Sequence, residues 1–255
     1  MNHNQLLTIA RFSIWEAVRD KFLIFIIVGM FCFFLISLFI GELAITEEAA
    51  TQSAILASAL RLFSVFTIGL FVITSMIREF NDKGFELILS HPVPRSSYYF
   101  GKFAGFSCIA LLVSLMSLCC LSFYVPLSLV LCWSLSLFCE LLIIISLSLL
   151  CVFSFNSITI SFSVVMAFYI LSRTIEAIQL ISDSPIVNIG SMSHKFMNGL
   201  LDAIAYLIPS FSKFTQTEWL IHPSGHNLSL ILVQTLIYII LLSSVSLFDL
   251  YRKEL

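Results

Sequence analysis

The chain has 255 residues, of which 59% are hydrophobic and 11% charged, and its mean hydropathy is +1.03. Globular domains carry about 25% charged residues, so a water-soluble fold is excluded and an integral membrane protein is expected. The formal net charge of −2 excludes little; the positions of the charges say more.

Residues 4–21, NQLLTIARFSIWEAVRDK, come first. Leu7, Ala10, Ile14 and Ala17/Val18 recur at helical spacing, and Thr8, Arg11, Glu16 and Arg19 fill much of the opposite side. That pattern fits a helix lying in the membrane interface, apolar face down; a charged leader before the first span is the plainer alternative. A cleavable signal peptide is not expected, because the first apolar run is too long for a signal h-region.

Six runs follow that can each cross a hydrocarbon core of about 30 Å: 22–40, 54–77, 103–124, 129–153, 157–172 and 228–248. Pro126 and Asn156 mark tight turns. An acidic connection with Glu42, Glu47 and Glu48 joins the first two spans, and 78–102 is a charged loop between the second and third. Residues 173–227 are more polar. Within them, Phe196, Met197, Leu200, Leu201, Ile204, Leu207 and Ile208 make one apolar face opposite Lys195, Asn198 and Asp202. A helix resting on or dipping into the outer leaflet is expected there, ended by Pro209.

Lys and Arg set the orientation. Arg11, Arg19 and Lys21 precede the first span, Arg78, Lys83, Arg95 and Lys102 lie between the second and third, and Arg252 and Lys253 follow the sixth. Six spans place all three groups on one side, the cytoplasm, with both termini. The connection near 42–53 and the 173–227 segment then face outward.

Three charged residues lie within or near spans: Arg61, Glu140 and Arg173. Charge in lipid is costly and usually faces a partner or a watery path. Glu140, deepest of the three, is expected to face the subunit interior, paired with a basic residue or lining a polar cavity. Arg61 and Arg173 are expected to snorkel to the outer interface. The serines crowding the third to fifth spans, and Gly101 with Gly105, read as close-packing signals. The seven cysteines fall inside apolar runs without CxxC spacing and read as small core residues. His222 and His226 flank Pro223 and Gly225, which argues against helical metal ligation.

The 78–102 stretch, REFNDKGFELILSHPVPRSSYYFGK, is too short for a domain and too charged for a span. Asn81 or Asp82 could cap a short helix through 84–90, with Phe85, Ile88 and Leu89 on its apolar side. His91-Pro92 would stop it, Pro94 would hold the next turn extended, and Arg95 would face the cytoplasm. Such a knob suits docking to a cytoplasmic partner; an ordinary basic loop fits equally well.

Arg78, Glu79, Gly84, Glu86, Leu87, Pro92, Arg95, Gly101 and Lys102 form an "Arg-Glu … Gly-x-Glu … Pro-x-x-Arg … Gly-Lys" pattern. It resembles the ABC-2 type transporter permeases, nearest to the branch of the nitrous-oxide-reductase maturation permease. Residues 15–21, which include Trp15, Glu16 and Arg19, resemble that family's interfacial connecting helix. The resemblance implies an all-α membrane domain spanning 1–255, with two copies pairing among membrane lipids in a bacterial inner membrane. A separate ABC ATPase would bind below, with the 82–91 helix as coupling helix. Arg78, Glu79, Asp82, Gly84, Phe85, Glu86, Leu87, Leu89, Pro92 and Arg95 would form the coupling site. Export is the expected direction. The chain holds no GxxxxGK[ST] loop, so it is not expected to be the enzyme; ATP and magnesium would sit on the partner. No nucleic-acid role is expected. An ATP-independent carrier or membrane scaffold is the alternative, but a carrier should have Gly/Pro-broken helices in matching halves, and the glycines are not so paired.

Overall fold

The computed structural model describes residues 3–43, 48–82, 94–182, 208–221 and 228–252, with 199, 202 and 205 between them. Helix α1 is His3–Arg19, α2 Phe22–Leu43, α3 Glu48–Asn81, α4 Arg95–Leu121, α5 Leu127–Phe155 and α6 Ile158–Ser182. A 3-10 turn at Phe211–Lys213, a short α7 at Glu218–Ile221 and α8 at Leu228–Arg252 complete the order. No strand occurs among the described residues. Helices α2, α3, α4, α5, α6 and α8 are each long and apolar enough to cross a membrane.

Helix α5 is the axis of the bundle. It packs against α3, α4, α6 and α8, and 18 of its 29 residues are buried. Its serines make that packing close. Ser146 Oγ donates to the carbonyl of Leu142 one turn back, and Ser117 on α4 does the same to Val113. A hydroxyl bonded to its own helix leaves no unmet donor against a neighbour. Peripheral helices turn large apolar side chains outward, as Ile24, Phe25 and Phe31 do on α2 and Leu236, Ile237 and Ile240 on α8. In water such a surface would aggregate; against lipid tails it is matched.

The turns obey the sequence. Pro126 caps α5 with extended backbone, and Asn156 ends it in the left-handed region at φ 51°. Lys21, at φ 55°, makes the sharp corner from α1 into α2.

The helices outrun the apolar runs that announce them. Helix α3 begins at Glu48 rather than near 54, α4 at Arg95 rather than near 103, and α6 continues to Ser182 rather than ending near 172. Hydropathy marks only the part of a helix that meets hydrocarbon, whereas backbone hydrogen bonds carry the helix on as polar side chains find partners. The charged connection between α3 and α4 is thus shorter than 78–102, since Arg78–Asn81 and Arg95–Lys102 are helical. Of the expected 82–91 helix, Asp82 is in a turn and 83–91 lie outside the described residues. The outer amphipathic helix lies almost wholly outside them too; 199, 202 and 205 are helical. Asp202 accepts a hydrogen bond from Gln179 Nε2 at 3.0 Å.

Candidate functional site: a charged clasp and a buried arginine–glutamate cluster

Two polar clusters stand out against this apolar bundle. The first ties α1 to α3 and α4. Helix α1 can approach α4 because both present small residues. A Cβ on Gly101 would sit 2.9 Å from Ile9 Cβ, and one on Gly105 would sit 2.8 Å from Ser13 Cβ and 2.9 Å from the carbonyl of Ala10. Gly101 and Gly105 are therefore a packing signal, and the partner is α1.

That approach buries Lys102, which is 1% exposed. Its Nζ lies 2.5 Å from Glu79 Oε2 and 3.8 Å from Glu16 Oε2. Ser75 Oγ donates to Glu16 Oε1 at 2.7 Å, and Tyr98 OH donates to Glu79 Oε1 at 3.0 Å. The ammonium also lies 5.6 Å from the Phe12 ring centre and 5.9 Å from that of Phe106, close enough for cation–π attraction. Nearby, Arg78 Nη1 meets Asp20 Oδ2 at 2.5 Å. Arg95 Nη1 donates to the carbonyls of Leu250 at 2.8 Å and Tyr251 at 3.1 Å, tying α4 to the end of α8.

Several sequence-based assignments change here. Glu16 does not share α1's outer polar side with Arg11 and Arg19. It turns inward, because Lys102 and Ser75 give it partners there. Arg11, Trp15 and Arg19 do lie exposed. For Arg95 the structure adds partners, the carbonyls left open at the C-terminus of α8. Of the ten coupling residues, Arg78, Glu79 and Arg95 hold neighbouring helices, Asp82 is exposed, and Gly84, Phe85, Glu86, Leu87, Leu89 and Pro92 lie outside the described residues.

The second cluster is deep in the bundle. Glu140 is fully buried and stands 13 residues into α5, about 20 Å along its axis. Ser136 lies one turn above. Both meet Thr215, which arrives from the segment following the 3-10 turn. Thr215 Oγ1 donates to Glu140 Oε2 at 2.8 Å, and the Thr215 N–H donates to Ser136 Oγ at 3.0 Å. Arg61 Nη1 donates to the Thr215 carbonyl at 3.1 Å. Arg173 Nη1 donates to the carbonyl of Phe214 at 2.9 Å, to that of Phe211, and to Thr215 Oγ1 at 3.4 Å.

Residues 208–220 thus enter the bundle. Ile208, Phe211, Phe214, Thr215, Trp219 and Leu220 are all buried, and Phe211 packs on Tyr169 with ring centres 5.6 Å apart. Irregular backbone is tolerated at this depth only where protein covers it; here three helices supply its hydrogen bonds. Arg61 and Arg173 do not snorkel outward, because the carbonyls at the end of the 3-10 turn give them closer acceptors. No local signal in the sequence announces this insertion, since Arg61 and Thr215 are 154 residues apart.

The cluster has two guanidinium groups to one carboxylate. Glu176 and Lys213, 3.8 Å apart on its outer rim, offset each other; Ser212 donates to that glutamate as well. Tyr169 OH donates to Glu140, and Arg61 Nε and Ser172 Oγ are buried without a hydrogen-bond partner among the described residues. Beside the cluster, an apolar groove of about 470 Å³ opens between α2, α3 and α6, lined by Phe33, Leu62, Phe66, Met166, Tyr169 and Ile170 among others. Tyr169 borders both. His222 and His226 lie outside the described residues. No family model and no curated protein matches the chain.

Proposed function

We propose that this chain is the membrane-spanning subunit of an ATP-driven, ABC-2 type transporter, working as an exporter in a bacterial inner membrane. Both termini face the cytoplasm, a separate ATPase docks on the 82–91 segment, and a second copy completes the pathway. ATP and magnesium belong to the partner.

One observation carries the reading. Both stems of the 82–94 connection are tied into the bundle by charged groups. The incoming stem is held by Arg78 on Asp20 and Glu79 on Lys102, the outgoing stem by Arg95 on the last carbonyls of α8. Lys102 adds Glu16 of α1. A push on this connection would therefore reach α1, α3, α4 and α8 together. A loose basic loop needs no such anchoring, whereas a segment that passes force from a partner does. The resemblance of this stretch to ABC-2 permeases supplies the partner's class.

The test is a gentle-detergent pull-down of tagged protein, repeated with Phe85→Ala/Glu86→Lys. An ATP-binding protein that co-purifies with the wild type and is lost with the double variant supports coupling through this segment. A folded, intact protein that brings down no ATPase overturns the reading and leaves a carrier or scaffold.

A further inference from the structure

We propose that the outward side of α1 binds anionic phospholipid headgroups, selected by Arg11 and Arg19 on either side of Trp15. This goes beyond the transporter reading and does not depend on it.

The depth of α1 follows from what it touches. Its inward side, with Ser13, Glu16 and Ala17 buried, packs on Gly105 of α4 and is bonded by Ser75 of α3. Those partners belong to the apolar runs 103–124 and 54–77, so α1 lies where α3 and α4 enter hydrocarbon. Lys21 then turns the chain straight into α2, whose large apolar side chains point outward. A helix packed at that level has its other side toward the bilayer interface. Phe12, Trp15 and Val18 are there, 56%, 61% and 51% exposed. Such groups gain by entering the headgroup region, but they enter any bilayer, so they select no lipid.

Selection comes from charge. Residues four apart on a helix share a side and lie about 6 Å apart along its axis, so Arg11, Trp15 and Arg19 form one stripe. Both arginines are exposed. The two carboxylates that could cancel them are engaged elsewhere. Glu16 turns inward to Ser75 and Lys102, and Asp20, 3.9 Å from Arg19, meets Arg78 at 2.5 Å. Lys21 adds an exposed cation at the corner. A hollow of about 390 Å³, lined by Phe12, Trp15, Glu16, Val18 and Arg19, gives a headgroup a seat beside the stripe. Guanidinium groups hold phosphate through forked hydrogen bonds. The apolar side chains among them favour a phosphate carried on a lipid over an acidic soluble partner.

The experiment is fluorescence quenching of Trp15 in the full chain, reconstituted into phosphatidylcholine vesicles with a minor share of phosphatidylglycerol. Trp133 and Trp219 are buried, and subtracting the Trp15→Phe spectrum removes their contribution. One set carries bromine on the acyl chains of the phosphatidylglycerol, the other on an equal share of the phosphatidylcholine. Each basic residue at an anionic surface raises affinity about fivefold. We therefore expect the anionic lipid to be favoured beside Trp15 by about fivefold or more, and by less at high salt. Arg11→Gln/Arg19→Gln should bring the two lipids close to level, and Arg11→Lys/Arg19→Lys should keep the preference. A wholly brominated phosphatidylcholine bilayer should quench wild type and both variants alike, showing α1 still in place. Equal quenching by the two lipids in the wild type, or a preference undiminished in Arg11→Gln/Arg19→Gln, overturns the proposal. So does an absence of quenching in the wholly brominated bilayer, which would leave this side of α1 to a soluble partner.

Discussion

Lys102 shows what a single charge costs in this bundle. It is held between Glu16 and Glu79, and removing one member of a buried ion cluster costs about 3–5 kcal/mol because the remaining charges lose compensation. Lys102→Met would leave two carboxylates facing each other across α1 and α3. Its thermal unfolding midpoint in detergent should fall sharply, and Lys102→Met/Glu16→Gln/Glu79→Gln should recover most of the loss. A single variant as stable as wild type would mean that the cluster does not hold the stems. Thr215 makes the second case. Its backbone sits at φ 44°, a region that costs a residue with a side chain about 1–2 kcal/mol, and a β-branched one more readily strains there. Its carbonyl, N–H and hydroxyl are all engaged by α3, α5 and α6. Thr215→Ser keeps the hydroxyl and should stay within about 1 kcal/mol of wild type, while Thr215→Val keeps the shape, strands Glu140 and should lose about 1–3 kcal/mol. The ratio of folded to unfolded protein in a urea or heat series distinguishes them; equal loss in both would mean that the hydroxyl contributes nothing.

Helix α1 depends on α4 for its place. Its outer side, with Leu7, Phe12, Trp15 and Val18, suits the interface but fixes no register, so the small-residue seam at Gly101 and Gly105 must. Gly105→Ala puts a methyl 2.9 Å from a backbone carbonyl, which cannot swing away; overpacking of that kind costs about 1–3 kcal/mol. Limited trypsin digestion should then cut at Arg11 and Arg19 several-fold faster than in wild type, and an unchanged rate would show that α1 is held elsewhere. The existence of the six long helices was readable from sequence, because lipid demands about 20 apolar residues and allows few substitutes. The turns at Pro126 and Asn156 were readable for local reasons, a missing N–H and a tolerance of positive φ. The partners of the charges were not. Glu16 with Lys102, Arg95 with the end of α8 and Arg61 with Thr215 are pairings across 86 to 156 residues of chain, and periodicity says only that a charge is present. The inserted 208–220 segment escaped for the same reason, since its backbone is satisfied by side chains that lie far away in sequence.

The six long helices, joined by α1 at one end, divide the charges unevenly. Contacts place α1, the end of α3, the start of α4 and the ends of α5 and α8 together: Asp20 meets Arg78, Lys102 meets Glu16, Arg95 meets Leu250 and Tyr251, and Ser154 Oγ donates to Asp249 at 2.5 Å. Of the thirteen Lys and Arg residues, nine belong in sequence to this end: Arg11, Arg19, Lys21, Arg78, Lys83, Arg95, Lys102, Arg252 and Lys253. Two others, Arg61 and Arg173, are turned into the bundle, which leaves Lys195 and Lys213. On the reading proposed above, the bias of positive charge toward the cytoplasm would turn this end inward. Phe123, 77% exposed in the turn between α4 and α5, marks the opposite end. With the seven native cysteines replaced, Phe123→Cys should react with a membrane-impermeant maleimide in intact cells, and Asp82→Cys only after permeabilisation. The reverse pattern would put the 82–94 connection outside the cell, where no ATP-driven partner could reach it, and the coupling mechanism would fail on topology alone.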